Sequence, residues 1–489
     1  MGGYMGTSCK KLLSVIVVPI VYAITRLLYF KLFRTVFIRL IRYRLSSHPL
    51  KIQHNDNNRC KIEEQHTLLS LAIVDTVDRL IAKGRLKPEV AQTSVQLWAH
   101  ALLTPRRANR AVFRFNEQNG CDPPWFLTIS PGHACNLDCR GCYASSGQLH
   151  SQLSWSSLDR IITEAKELWD IKLVVLSGGE PLIYQSEGKD VLDIVEKHAD
   201  LLFLMFTNGT LIDEQVAERL TKLGNLTPAL SVEGMADRTD LRRGDGAFEA
   251  VVNAMNHISK AGIPFGISVT VTRDNCAEVL SDDFLDFFFG ERGAFYGFYF
   301  QYTPIGRGFD VKLMPTPSQR ISFLEKTWDI VQKDKLFLID FWNHGPLVDG
   351  CISAGRAGGY IYIDWNGKVM PCVFAPFSVS NINQAHANGG TLNDVWKEPF
   401  FEAIRDWQRN YGYGKQVLSK EGNWLRPCPF RDHHALFSNW IEKYNPEPED
   451  EAAQEATADD SYHCALVNYG TAYGRLADDI WNRDYLGWS

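Results

Sequence analysis

The sequence predicts an α/β protein built on a parallel sheet, and three observations carry that reading. From Trp125 onward, short apolar runs alternate with amphipathic segments of helical period. The links between them are short, as strand–helix units require. Each chemically loaded motif in this part of the chain follows an apolar run directly, where parallel sheets place their chemistry. The expected strands are 126–130, 173–176, 201–207, 229–232, 265–272 and 297–302. One connecting helix starts near Ser154 and carries Leu158, Ile161, Ile162, Ala165 and Leu168. A second starts after Asp213, and a third runs from Phe248 through Met255 to Ile258.

The chain has 489 residues, enough for two to four domains. Apolar residues make up 45% and charged residues 22%, a globular composition. The net charge of -6 excludes an overall basic, nucleic-acid-binding protein. Eleven cysteines are present, an odd number, and three of them crowd into residues 135–142. That spacing suits a metal rather than a disulfide framework, so a reducing, cytoplasmic environment is expected.

Residues 1–45 read differently. No acidic residue precedes Asp56, whereas Lys10, Lys11, Arg26, Lys31, Arg34, Arg39, Arg42, Arg44 and Lys51 do. The apolar run that begins at Leu12 stops at Arg26, short of a spanning helix. It resembles a signal peptide without a cleavage site. Tyr29, Phe33, Val36, Leu40 and Tyr43 then recur at helical spacing, with Lys31, Arg34 and Arg42 on the other side. The expectation is a helix lying on the cytoplasmic face of a membrane, with a lipid surface as partner; the alternative is a helix docked on the protein's own core. Residues 46–120 are read as a polar linker and a helical cap. Residues 121–338 carry the strand–helix alternation. Residues 339–440, rich in Gly, Cys and Pro, form a second small domain. Residues 441–489 combine an acidic, solvated linker with an aromatic tail, either a packing helix or a lid.

The segment after the first strand reads PGHACNLDCRGCYA. Cys135, Cys139 and Cys142 would bind a four-iron cluster with one iron left open. A structural zinc site would need a fourth nearby ligand, and His133 is poorly spaced for it. The loop resembles the CxxxCxxC signature of radical S-adenosylmethionine (SAM) enzymes. The resemblance implies that the open iron of a [4Fe-4S] cluster binds SAM. Its reductive cleavage then yields a 5′-deoxyadenosyl radical that abstracts hydrogen. It also implies a low-potential electron donor of flavodoxin or ferredoxin type. The residue before the third cysteine is commonly aromatic in the family, and here it is Gly141.

Later strands carry supporting motifs. Gly178, Gly179 and Glu180 resemble the family's GGE turn, in which the SAM amino group is bound. Thr207-Asn208-Gly209 also resembles a family segment; Asn208 reads equally as a turn or as support for the SAM pocket. Ser231 to Gly234 resembles S-x-D-G, with Glu233 replacing the usual Asp. The resemblance implies that Ser231 binds SAM, and that Arg242 or Arg243 clamps its carboxylate. Either arginine could equally be a salt-bridge residue. The segment QYTPIGRG resembles the exit from barrel to auxiliary domain; as bare chemistry it is a Pro/Gly loop with one arginine.

Residues 351–372 contain a hairpin, YIYIDWNGKVMPC, with an Asn-Gly turn. Cys351 and Cys372 around it match the opening of the SPASM/twitch pattern, and Cys428 stands alone downstream. The resemblance implies one auxiliary [4Fe-4S] cluster on Cys351, Cys372 and Cys428. Its fourth ligand is open among Asp432, His433, His434, Cys464 and the substrate.

The resulting expectation is a partial (β/α)6 TIM-like barrel, with a SPASM/twitch-like domain after it and a membrane-associated helical region before it. No catalytic side chain is identified. The function expected is hydrogen abstraction from a membrane-associated lipid or isoprenoid. The alternative is a peptide- or protein-modifying maturase; residues 1–120 lack the strands of a leader-binding module. A non-catalytic membrane iron–sulfur or zinc protein is a third reading, which has no need of Gly178, Gly179 and Glu180.

Overall fold

The computed structural model describes residues 23–47, 60–103, 106, 109–413, 418–419 and 421–487. Seven strands run parallel and lie side by side in chain order: β1 (Phe126–Ile129), β2 (Leu173–Leu176), β3 (Leu202–Thr207), β4 (Leu226–Val232), β5 (Gly266–Val271), β6 (Tyr296–Gln301) and β7 (Leu338–Asp340). The helices between them start where the sequence signals fall. Ser154 caps Trp155–Trp169 by accepting from the Ser157 amide, and Asp213 caps Glu214–Leu223 through the Val216 amide.

The strand faces turned to the connecting helices are apolar, as a parallel sheet covered by helices requires. Alternate residues divide between two environments. Leu127, Val174, Phe203, Met205, Leu230, Ile267 and Val269 are buried in the main core cluster with the connecting helices. Thr128, Val175, Phe206, Ser231, Ser268 and Phe298 line a central cavity instead.

The expected separation at residue 338 is not how the sheet divides. β7 extends the barrel sheet beyond that point. The cysteine-bearing hairpin also joins it: β8 (Tyr360–Ile363) pairs parallel with the free edge of β1. β9 (Lys368–Met370) and β10 (Ser380–Asn381) continue the sheet antiparallel. The ten strands therefore run β10-β9-β8-β1-β2-β3-β4-β5-β6-β7.

The C-terminal segment departs from the solvated linker expected of it. Asp450 caps the helix Glu451–Ala458, which buries Ala453 and Ala456. The helix Asp460–Ile480 then buries Tyr462, Leu466, Tyr469, Tyr473 and Ala477. The aromatic tail is a packing element: Tyr485 accepts a hydrogen bond of 2.8 Å from Gln65 on the helix Cys60–Ala82.

Within residues 46–120 the helical part begins at Cys60, where that helix starts. The apolar run 12–22 lies outside the described residues. The basic helix is Lys31–Ser47. Its Arg34 and Arg42 do not face lipid; they pair with Asp78 and Asp75 of the neighbouring helix at 2.9 and 2.5 Å. The helix is docked by these arginines and by buried Ile38, while Leu32, Val36, Leu40 and Tyr43 remain exposed. Among the described residues, no helix is long and apolar enough to cross a membrane.

Candidate active site between two cysteine groups

A cavity of about 470 Å³ opens at the C-terminal ends of the parallel strands. Thirteen of the residues singled out in the sequence line it: Cys135, Cys139, Cys142, Gly178, Gly179, Glu180, Asn208, Ser231, Arg242, Arg243, Cys351, Cys372 and Cys428. The six cysteines are free thiols. The two groups therefore face one space.

The first cysteine loop is clasped by the turn after β2. Gly179 N donates to Gly132 O at 3.1 Å and Glu180 N to Ala134 O at 2.9 Å. A Cβ on Gly179 would lie 2.1 Å from Ala134 O, so only glycine permits this approach. The Glu180 carboxylate is buried and accepts from Thr207 Oγ1 and Asn208 N, both at 2.8 Å, and from Leu182 N at 3.2 Å. Burial raises its pKa, and those donors offset part of the shift. A ligand ammonium would favour the ionised form there.

Asn208 acts as more than a turn. Its Nδ2 donates to Asn136 Oδ1 at 2.9 Å and lies 3.8 Å from Cys135 Sγ, so it buttresses the cysteine loop. His133 does not line the cavity; its Nε2 bonds Ala144 O at 2.9 Å and its ring stacks on Trp365.

Glu233 receives both arginines, Arg242 Nη1 and Arg243 Nη2 each at 2.6 Å. This gives the Asp-to-Glu departure a role. Arg242 also donates to Arg140 O and Gly141 O, at 3.0 and 3.1 Å. All three Arg242 nitrogens thus hold protein, and it is a loop clamp. Arg243 gives Nε and Nη2 to Glu233, and its Nη1 has no acceptor among the described residues. Of the two, Arg243 is the one able to meet a ligand carboxylate.

Several residues at the site were missed in the sequence or named there without a role. Tyr143 directly follows the third cysteine; its hydroxyl sits 2.6 Å from Ser177 Oγ and accepts from Gly178 N at 3.0 Å. Gly141 has φ +66°, and a Cβ there would meet the Tyr302 ring at 2.9 Å. An aromatic ring from the end of β6 thus occupies the flank of the glycine. Arg307, the lone arginine of QYTPIGRG, donates to Cys139 O at 3.1 Å and also bonds Ser146 O and Asp138. Phe300, Phe341, Trp342 and Phe374 form an aromatic wall of the cavity, with neighbouring centroids 4.9–6.5 Å apart. Alternating aromatics in β6 were the available signal.

In the second group, Cys372 Sγ lies 3.0 Å from Tyr360 Oη and accepts from Phe374 N at 3.4 Å. Cys428 opens a short helical turn and its Sγ accepts from Arg431 N at 3.4 Å. Cys351 Sγ lies 3.1 Å from Ser353 Oγ. Burial pushes the Cys135 thiol up to about 11, and Cys372 and Cys428 each to about 12. Sulfurs this dry ionise when a cation meets them, and free thiols grouped in threes on one cavity fit iron–thiolate bonding.

None of the neighbours considered for a fourth ligand lines the cavity. Asp432 holds Arg320 through both oxygens, at 2.5 and 3.2 Å. His433 Nε2 bonds Arg426 O, and His434 Nδ1 bonds Phe430 O. Cys464 is exposed.

Comparison with known proteins agrees with this geometry. Residues 129–280 match the Radical SAM superfamily, and residues 351–418 match SPASM, the iron–sulfur cluster-binding domain. The chain is 32% identical over 315 residues to the mycofactocin maturase MftC of Mycobacterium ulcerans, covering 61% of this chain and 82% of that protein. It is 27% identical over 318 residues to the AdoMet-dependent heme synthase of Methanosarcina barkeri, covering 58% and 84%. Its fold resembles Streptococcus suis SuiB bound to the precursor peptide SuiA, with a TM-score of 0.51 and 17% identity over 75% of this chain and 81% of that one. These families bring SAM and a [4Fe-4S] cluster to the first site and auxiliary iron–sulfur chemistry to the second. This protein belongs to the radical SAM superfamily, as a SPASM-type enzyme.

Proposed function

We propose that the protein is a maturase that modifies a peptide, abstracting hydrogen from a residue presented in the shared cavity. The observation that carries this reading is the single cavity faced by both cysteine groups and walled by aromatic rings. Relatives named for maturation support it, among them the sporulation killing factor maturation protein of Bacillus subtilis, 29% identical over 157 residues. The lipid or isoprenoid substrate expected from the N-terminus has no such support, and the peptide alternative replaces it.

When bound, the [4Fe-4S] cluster and SAM supply the hydrogen-abstracting radical. The remaining roles belong to the chain. Cys135, Cys139 and Cys142 would hold the cluster. Glu180 would receive the SAM ammonium, and Arg243 its carboxylate. Arg242, Arg307 and Asn208 fix the cysteine loop. Phe300, Phe341, Trp342 and Phe374 exclude water and grip an apolar side chain. A flavodoxin- or ferredoxin-type donor delivers the electron.

The test is substrate-stimulated release of 5′-deoxyadenosine by anaerobically reconstituted enzyme with SAM and dithionite. A peptide fraction from the source cells should stimulate release, and protease treatment should abolish the effect. Stimulation by a protease-treated lipid extract would overturn the peptide reading.

We also infer that the enzyme works at the cytoplasmic surface of a membrane. The helix Lys31–Ser47 carries an exposed row, Leu32, Val36, Leu40 and Tyr43, beside exposed Lys31, Arg39 and Arg44. Apolar insertion and attraction to anionic headgroups together form two anchoring signals. Full-length protein should float with phosphatidylglycerol vesicles at low salt, and L32Q/V36Q/L40Q/Y43Q should bind at least tenfold more weakly. Unchanged flotation of the variant would remove this helix as the contact.

A further inference from the structure

His344 is an unexplained titratable group of the cavity. It is buried, at 3% exposure, and lines the same space as Cys351, Cys372 and Cys428. Neither Nδ1 nor Nε2 has a hydrogen-bond partner among the described residues. Its ring rests on Trp328, with centroids 4.5 Å apart, a contact that uses no nitrogen lone pair. Buried polar atoms are satisfied in nearly all cases, so a dry imidazole with both nitrogens unused signals a partner from outside the polypeptide.

Its backbone position is specific. His344 follows β7 and begins the turn Gly345–Val348, which leads within a few residues to Cys351. The next residue, Gly345, packs against Pro427, the neighbour of Cys428, where a Cβ would lie 3.1 Å from the proline ring. The turn thus connects the segments carrying two of the three auxiliary cysteines. The other protonatable group here, Asp340, is saturated by Gln301 Nε2, the Trp342 and Asn343 amides and Asn343 Nδ2. His344 has no comparable partner.

We propose that an imidazole nitrogen of His344 is the fourth protein ligand of the auxiliary iron–sulfur cluster, beside Cys351, Cys372 and Cys428. This rests on the auxiliary-cluster reading and deepens it. Neutral imidazole is a common metal ligand, and replacing a thiolate by histidine raises a cluster's potential. All four irons then have protein ligands. The substrate would then not bind the auxiliary cluster through iron, and the cluster's potential would lie above that of an all-thiolate one.

The probe is the full chain with Cys135, Cys139 and Cys142 changed to Ala, reconstituted with iron and sulfide, labelled with ¹⁵N-histidine and reduced. Pulsed EPR should show directly coordinated ¹⁵N. His344→Phe should lose that coupling. His344→Cys should keep the iron, lose the nitrogen signal and shift the potential negative, so a folding failure of the phenylalanine variant does not hide the answer. Absence of nitrogen coupling in a parent that holds four irons overturns the ligand assignment. Coupling that persists in His344→Cys overturns it too. A parent that holds no iron overturns the auxiliary cluster itself, and the ligand with it.

Discussion

Gly179→Ala isolates the steric logic of the first cluster site. The residue does not have positive φ, so alanine adds no backbone strain of that kind. Its Cβ, however, would sit 2.1 Å from Ala134 O and 2.6 Å from His133 O. Real Cβ contacts do not fall below 3.0 Å, so turn and loop must part by about 0.9 Å. Both atoms are backbone, and no side chain can swing aside. The parting strains two hydrogen bonds, Gly179 N to Gly132 O and Glu180 N to Ala134 O. It also moves the Glu180 carboxylate relative to Cys135. A misplacement of about 1 Å at a reacting centre costs on the order of 100-fold in rate. The assay is anaerobic release of 5′-deoxyadenosine, read with iron content. We expect a fall of about 100-fold, with iron lost from the first site or bound with an altered EPR response to SAM. Gly290→Ala is the control, since its Cβ has nothing nearer than 3.9 Å. Wild-type release from Gly179→Ala would refute the argument that the turn clamps the loop.

Cys139→Ala should release no 5′-deoxyadenosine. Replacing Cys351, Cys372 and Cys428 together should halve an iron content of roughly eight, if both clusters hold four irons, and leave the first cluster's EPR response to SAM. Arg320→Met should lower the apparent melting temperature by an amount matching about 3–5 kcal/mol, because Asp432 would become a buried carboxylate deprived of its main partner; burial works against ionised Asp432, and Arg320 with Arg431 outweighs it and holds the group well below its usual range. Asp364 is the opposite case: burial pushes it up to about 6 from 3.8, so its native carboxyl keeps a proton that the unfolded chain has released. Stability should therefore fall between pH 3.8 and about 6, by up to about 3 kcal/mol, and Asp364→Asn should flatten that slope in pH-dependent thermal melts.

The chemistry was legible because it is written in adjacent residues. The cysteine triplet, the Gly-Gly-Glu turn and the Asn-Gly hairpin each place their groups within a few positions, and each strand end points to the same side of a parallel sheet. Ligand choice among long side chains was not legible. Arg242 and Arg243 are adjacent and identical in type, and only the three-dimensional path shows Arg242 bound to Arg140 O and Gly141 O. Composition misled in the acidic part of residues 441–489, where acidic residues serve as helix caps such as Asp450 and Asp459 while small alanines face inward. At the N-terminus, periodicity identified the apolar row. It could not tell that Arg34 and Arg42 would pair with Asp78 and Asp75, since ion pairs of long sequence separation leave no local pattern. His344 carried no motif, because its significance lies in what its nitrogens fail to touch.

The seam between β1 and β8 explains why two cysteine groups more than two hundred residues apart share one cavity. The strands pair residue for residue, from Phe126 opposite Tyr360 to Ile129 opposite Ile363. Just past β1, Ser130 Oγ meets Tyr362 Oη at 2.9 Å, and the chain turns into the first cysteine loop. On the same strand as Tyr362, Tyr360 reaches Cys372 Sγ. Both sites are thus fixed to neighbouring strands of one sheet, and their relative placement follows from backbone hydrogen bonds rather than from a flexible linker. The alternation of β8 carries this placement. Tyr360 faces the cavity, whereas Ile361 and Ile363 pack into the main core. A one-residue slip of β8 would exchange those faces. It would bury tyrosine hydroxyls in the core and carry Cys372 away from the cavity. The auxiliary site is therefore specified by strand register as much as by its cysteines.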